Sequence, residues 1–168
     1  GCDTILAQMV AECMECDADD VALFGADTDV SPYDSGSYAS STTYITGKAV
    51  EKACMELRQK ICSIAADMMK CTEDEVVFDK GCVRQIGSDN TVSLVEIGRK
   101  TQVSNNKAAV ATATHSSPVS PPPYMVGMVE IELDKLTGKV EILDYMAVVD
   151  CGIPINPALA RIQTEGGI

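Results

Sequence analysis

The side chains best placed to do chemistry gather in one stretch, residues 27–47. It reads Asp27-Thr28-Asp29, then Pro32-Tyr33-Asp34-Ser35-Gly36, then Ala39-Ser40-Ser41-Thr42-Thr43-Tyr44, and closes at Gly47. A loop this long without secondary structure of its own is usually functional or disordered. The step Ala39-Ser40-Ser41-Thr42 sets small side chains and backbone N–H groups just ahead of the longest helical pattern in the chain. Such a step suits an anionic group approached closely by backbone. It also reads as an N-cap region rich in Ser and Thr, and local chemistry leaves both readings open. Asp27 and Asp29 are spaced to touch a metal or to close an Asx turn; no third acidic ligand accompanies them, which favours the turn.

Other chemistry is sparse. The single histidine, His115, lies in a Ser/Pro loop, which leaves no histidine triad and no multi-histidine metal site. Cys13 and Cys16 form a Cys-x-x-Cys, but no second pair stands at zinc-finger or ribbon spacing. The other six of the eight cysteines, at 2, 54, 62, 71, 82 and 151, are scattered singly. Cys13, Cys54 and Cys62 fall on apolar helical positions, where a free thiol behaves as a small hydrophobe. Reduced structural thiols are therefore expected, and with them a cytoplasmic setting. Neither standard Gly-rich phosphate loop is present, because Gly166-Gly167 follows a helix and not a strand.

The chain of 168 residues is 46% hydrophobic, enough for a core, yet only 4% aromatic with no Trp. That core must be built from aliphatic residues and Met. A net charge of -12 opposes phosphate backbones and anionic lipid, so no nucleic-acid or membrane partner is expected. No apolar run approaches the ~20 residues of a membrane span. The opening Gly-Cys-Asp-Thr carries no basic n-region of a signal peptide.

Hydrophobic period supplies the elements that must position the loop. Apolar spacing predicts a helix over 4–16, a buried strand at Val21-Ala22-Leu23-Phe24, and the clearest helix over 47–70. The N-terminal dipole of that last helix points at whatever the loop holds. Strands are predicted at 75–78 and 82–86 around a Lys80-Gly81 turn. A capping box at Ser93-Leu94-Val95-Glu96 starts a helix to about Lys100. Residues 107–114 alternate as a strand, and three prolines at 121–123 forbid helix or central strand. Two long strands, 124–133 and 139–149, flank a turn in which Gly138 supplies positive φ. Asn156 and Pro157 then cap and start a last helix. With no internal repeat and no separating linker, residues 1–168 read as one α+β domain, a mixed sheet with packed helices.

Three ordered motifs resemble a known family. They are Pro32-Tyr33-Asp34-Ser35-Gly36 running into 39–44 and Gly47-Lys48-Ala49-Val50; Pro121-Pro122-Pro123-Tyr124 followed by Val129-Glu130-Ile131-Glu132 and Thr137-Gly138; and Val149-Asp150-Cys151-Gly152, Asn156-Pro157 and 163–167. Together they are similar to the molybdenum-binding subunit of the xanthine dehydrogenase and aldehyde oxidase family, and the resemblance covers essentially the whole chain. Gly1-Cys2-Asp3-Thr4 with Gln8 resembles the residues just after that family's Gly-Gln-Gly cofactor loop.

The resemblance implies a molybdopterin cofactor, in some members as the cytosine dinucleotide. It implies hydroxylation of N-heterocycles or aldehydes with oxygen from water. Ala39, Ser40, Ser41 and Thr42 match the segment that holds the pterin and its phosphate. Gln163 matches the glutamine beside the molybdenum, Gly166 and Gly167 match small residues that let backbone pass the site, and Gly1 matches the end of the first cofactor loop. No metal ligand is assigned. Where many bacterial relatives carry Arg, this chain has Ser41, so phosphate contacts would be weakened or remade.

The family's general-base glutamate has no match in 1–168, and Glu165 is not it; the substrate-pocket Arg and Phe segments are missing too. The chain therefore reads as a piece of a larger subunit, inactive and free of cofactor when alone. Its implied partners are the remaining segments of that subunit and iron–sulfur and flavin subunits. The alternative is a small cofactor-binding or structural domain without catalysis of its own. Three further expectations follow: the chain folds alone on a core shared by helix 47–70 and hairpin 124–149, its eight thiols stay reduced, and loop 31–42 is its most mobile internal segment.

Overall fold

The computed structural model describes residues 1–103 and 108–168. They form two compact units, Gly1–Pro118 and Val119–Ile168. The α+β class stands, with the strands distributed over two antiparallel sheets.

In the first unit, helix α1 (Cys2–Met14) packs along α2 (Thr42–Met69). Along α2 the buried positions are Gly47, Cys54, Ile61, Ile64, Ala65 and Ala66, the apolar stripe of a helix with one face in a core. Gly47 is where α1 comes close: a Cβ there would stand 2.6 Å from Met9 Cε. α2 begins five residues before the start read from the sequence, so Thr42 lies inside it. Three short strands follow, β1 (Val76–Asp79), β2 (Cys82–Gln85) and β3 (Thr91–Ser93), in the order β1-β2-β3. Lys80 (φ 46°) and Gly81 (φ 70°) make the two-residue β1–β2 turn, in which both central residues are left-handed. β3 feeds directly into α3 (Leu94–Val103) through the expected capping box: Glu96 N–H donates to Ser93 Oγ at 3.3 Å, and Ser93 N–H donates to Glu96 Oε2 at 2.8 Å.

Met14, Ile61, Phe78, Val83, Val92 and Ile97 belong to one buried cluster that joins these elements. Arg58 ties its rim, donating to the carbonyl oxygen of Cys13 at 2.9 Å while its guanidinium stands 4.5 Å over the Phe78 ring.

Two sequence expectations fail here for a shared reason. The run 21–24 forms no strand, and Phe24 is 75% exposed. Residues 108–114 form no ladder either, although their exposure alternates with period two; residue 107 lies outside the described residues. An apolar or alternating run dictates extended backbone, but a strand also needs a partner edge. The second segment finds a side chain instead: Lys60 Nζ donates to the Val110 carbonyl at 2.8 Å, and just beyond the segment Lys52 Nζ lies 3.1 Å from Nδ1 of His115.

The second unit is a ribbon and a helix. β4 (Tyr124–Leu133) pairs antiparallel with β5 (Val140–Asp150), and a bulge at Glu130/Ile131 leaves Leu143 without an opposite residue. Asp134 closes the turn: its Oδ1 accepts from Leu136 N–H at 2.8 Å and its Oδ2 accepts from the Thr137 hydroxyl at 2.8 Å. Gly138 takes the positive φ, 73°, as expected. α4 (Pro157–Glu165) starts at Asn156, whose Oδ1 accepts from Leu159 N–H at 3.0 Å. No residue of this unit is buried. The expectation that the hairpin supplies part of a core is therefore corrected: the ribbon carries apolar side chains on both faces and has no buried residue.

Candidate functional site

The loop ahead of α2 is built from local hydrogen bonds. Asp29 N–H donates to Asp27 Oδ1 at 2.9 Å, the expected Asx turn. Gly36 N–H donates to Asp34 Oδ1 at 2.6 Å, at a glycine whose φ of 101° few L side chains adopt. The Ser37 and Thr42 hydroxyls bond to each other across the start of the helix.

Ala39 (φ 50°) and Ser40 (φ 56°) are both left-handed, and Ser41 returns to the right-handed region at φ -85°, ψ -13°. Each left-handed non-glycine residue costs about 1–2 kcal/mol. Such strain persists where surroundings impose it, and it concentrates at ligand clamps. A left-handed residue followed by a right-handed one turns successive N–H groups to one side, the anion-binding concavity called a nest.

The start of α2 is open to such a guest. Ser41 occupies the cap position but makes no side-chain cap, and the first turn holds no acidic residue. This sets aside the capping reading of the Ser/Thr run: the hydroxyls are present, yet none closes the helix end. Ser41 N–H donates to the Tyr38 carbonyl at 3.2 Å. The N–H groups of Thr42 and Thr43 have no partner among the described residues. Ala39 and Ser40 are exposed, Ser41 and Thr42 half-buried. A helix of 28 residues with an unclosed, uncharged N-terminus and small side chains in front of it fits a phosphate group.

The other predicted site residues belong to other elements. Gly1 is exposed at the start of α1, its carbonyl accepting from Ile5 N–H at 3.2 Å. Gln163, Gly166 and Gly167 sit together on the last turn of α4, in the unit Val119–Ile168. The Gln163 amide is exposed and has no hydrogen-bond partner among the described residues. Gly166 closes the helix with its N–H on the Ile162 carbonyl at 2.9 Å, and a Cβ there would stand 3.2 Å from that carbonyl oxygen. Asp34, part of the Pro32–Gly36 motif, and Ser37 hold the loop although neither is among the predicted cofactor-binding residues; their Asp-x-Gly and Ser/Thr pattern is the signal available in the sequence.

The described residues contain no group of three or more His, Cys, Asp or Glu able to hold a metal. All eight cysteines are free thiols. Burial, with Cys13 close by, pushes the Cys54 thiol up to about 11. A depression of about 590 Å³ between α2 and α3, lined by Met68, Glu96, Arg99, Lys100 and Val103, includes none of the predicted site residues. No helix among the described residues is long and apolar enough to cross a membrane.

Comparison with known proteins gives a consistent answer. Residues 1–168 match the family described as the molybdopterin cofactor-binding domain. The chain is 33% identical over 168 residues to the probable hypoxanthine oxidase of Escherichia coli K12, covering 99% of this chain and 17% of that protein. It is 30% identical over 173 residues to the putative xanthine dehydrogenase molybdenum-binding subunit of the same organism, covering 100% of this chain and 23% of that one. Among solved structures, CO dehydrogenase from Oligotropha carboxidovorans superposes with a TM-score of 0.78 at 26% identity, covering 98% of this chain and 21% of that one. The chain thus spans about a fifth of the length of these relatives.

Proposed function

The chain belongs to the molybdopterin cofactor-binding domain family, and on that premise we propose that it forms part of the cofactor cradle of a xanthine dehydrogenase-like molybdenum hydroxylase. Its substrates would be N-heterocycles or aldehydes, and its other partners iron–sulfur and flavin subunits. The observation that carries the reading is the open N-terminus of α2 behind left-handed Ala39 and Ser40. Backbone N–H groups of Thr42 and Thr43, with the Ser40 and Ser41 hydroxyls beside them, would hold the phosphate end of molybdopterin, alone or as its cytosine dinucleotide. The Gln163 amide, whose NH2 donor and carbonyl acceptor have no partner among the described residues, would hydrogen-bond the cofactor on its molybdenum side. Gly166 and Gly167 would keep backbone close to it, and Gly1 would close the first cofactor loop. When bound, the cofactor supplies the two-electron oxidation that accompanies hydroxylation with oxygen from water. The family match over the whole chain does not favour the alternative of a structural domain without a cofactor.

Ser41→Asp separates stability from function. An aspartate at the cap position closes the helix end and complements its dipole, so the chain should gain ~0.5–1 kcal/mol in urea unfolding. The same carboxylate occupies and charges the anion seat. Titrating inorganic phosphate should shift the Thr42 and Thr43 amide resonances of the parent chain and leave those of S41D in place. Equal shifts in both proteins, or none in the parent, would remove the cradle reading.

A further inference from the structure

The partner that each thiol finds separates one pair of cysteines from the rest. Cys71 donates to the Ala66 carbonyl at 3.8 Å, and Cys82 donates to the Asp79 carbonyl at 2.9 Å. Cys62 meets the backbone of Phe78. These three are satisfied by main chain, as suits a small hydrophobe with a weak donor. The Cys13 and Cys54 thiols instead share a hydrogen bond with each other. A thiol that only fills space needs no thiol neighbour.

Two helices and a cap hold this pair. Cys13 lies in the last turn of α1, and Cys54 is buried on α2. One turn further along α2, Arg58 donates to the Cys13 carbonyl at 2.9 Å and to Glu15 at 2.9 Å, which fixes the end of α1 beside residues 54–58. Glu15 takes the left-handed cap conformation, and the Cys16 N–H reaches back to the Ala11 carbonyl at 3.0 Å. That return of the chain brings Cys16 close enough for its charge to act on Cys54. Cys54 is buried whereas Cys13 and Cys16 are half-buried, so a small reagent reaches the pair from the end of α1.

We propose that Cys13 and Cys54 form an oxidisable dithiol, a modification site at which a peroxide joins α1 to α2 through a disulfide. The Cys13 thiolate takes one oxygen from hydrogen peroxide; the O–O bond breaks, leaving a sulfenic acid on Cys13 and, once protonated, one water. The Cys54 sulfur then attacks the Cys13 sulfur; the S–O bond breaks, the S–S bond forms and a second water leaves. Two thiols thus lose two electrons and two protons, and one peroxide is reduced to two waters. Burial and then Glu51 push the Cys13 thiol up, against the Cys54 hydrogen bond and Arg58, which favour its thiolate. The first step is therefore slow at neutral pH and quickens in mild alkali. The ring so closed takes in residues 14–53, and with them the whole loop 27–47 ahead of α2. A bridge across so long a stretch restricts the unfolded chain far more than the folded one. No group at the start of α2 takes part, so the disulfide and the cofactor cradle stand or fall separately.

The test uses the chain carrying Cys2→Ser and Cys151→Ser, because those two exposed thiols would join chains to one another. Of the eight thiols six then remain, and hydrogen peroxide at about pH 8.5 should lower the titre in denaturant to four. Peptide mapping should find Cys13 joined to Cys54. The urea midpoint should rise on oxidation and return on reduction with dithiothreitol. Cys54→Ala should abolish that rise. Mapping is done with both thiols in place, so it decides the matter even if Cys54→Ala fails to fold. An unchanged titre, oxidation that ends at a sulfinic acid on Cys13, a link between Cys16 and either partner in place of the Cys13–Cys54 link, or a rise in midpoint that survives Cys54→Ala would each overturn the proposal.

Discussion

The units Gly1–Pro118 and Val119–Ile168 use similar residues to opposite ends. In the first, short strands of three or four residues carry Phe78, Val83 and Val92 into one cluster with Ile61 and Ile97. In the second, the longest strands of the molecule bury nothing. Strand length and apolar content therefore do not say where a core lies. What matters is whether a second layer is present to receive the side chains. The run Tyr124-Met125-Val126-Gly127-Met128-Val129 lacks the alternation of a strand with one wet face. It is written like an interior strand covered on both sides.

The largest effect that sharpens this contrast comes from truncating one isoleucine in each unit. Ile97 is 1% exposed, so Ile97→Ala removes packed side-chain atoms and leaves a cavity, a loss of about 2–5 kcal/mol. Ile142 is 66% exposed, so Ile142→Ala in the same isolated chain should change stability by less than ~0.5 kcal/mol. Urea unfolding followed by helical CD measures both. A comparable loss at Ile142 would mean that the ribbon has a core partner within this chain.

A second difference is kinetic. Cys151 is exposed in the ribbon unit, while Cys54 is buried in α2 and its thiol is pushed up to about 11, first by burial and then by Cys13. The thiolate is the reactive form, so a neutral alkylating reagent at mildly alkaline pH should modify Cys151 at least ~100-fold faster than Cys54. The sign for stability follows. Above the unfolded thiol's 9.0, the unfolded state ionises while the folded Cys54 keeps its proton, so stability falls as pH rises toward 11. Cys54→Ala should flatten that alkaline limb.

These contrasts also mark what the sequence makes legible. The apolar stripe of α2, the Lys80-Gly81 turn, the Ser93–Glu96 capping box, the Asp134–Gly138 turn and the Asn156-Pro157 start of α4 all rest on chemistry within a few residues, and each is found. The strands expected at 21–24 and at 107–114, the latter described from 108 on, depend on distant partners, and a run of apolar residues carries no information about those. The loop ahead of α2 was half legible. Small hydroxylated residues before a helix mark an anion seat or a cap, and the sequence does not reveal that Ser41 makes no side-chain cap. The left-handed turn at Ala39 and Ser40 left no trace in sequence, because neither is the Gly or Asn that usually signals that conformation.

The smallest effect compares two exposed carboxylates whose reach differs. Glu15 ends α1 in the left-handed region at φ 51°. Its carboxylate accepts from Lys80 N–H at 2.9 Å and from the Arg58 guanidinium at 2.9 Å, linking α1, α2 and the β1–β2 turn. The Lys80 N–H, and after it Arg58, hold its carboxyl below the usual glutamate range. Asp134 is likewise held low, by the Thr137 hydroxyl and then the Leu136 and Thr137 N–H groups, but all its partners lie within its own turn. For a depressed carboxyl, the stabilisation is present above the unfolded pKa and fades as pH falls through the folded one. Glu15→Gln should therefore lower the melting temperature of the helical unit slightly at neutral pH, and the gap from the parent chain should close in acid below the ordinary glutamate range. Asp134→Asn should leave that melt unchanged at every pH and speed amide exchange only around 134–139. A neutral-pH loss from Asp134→Asn matching that of Glu15→Gln would show that the ribbon turn unfolds together with the helical core, and the two units would then have to be treated as one cooperative structure.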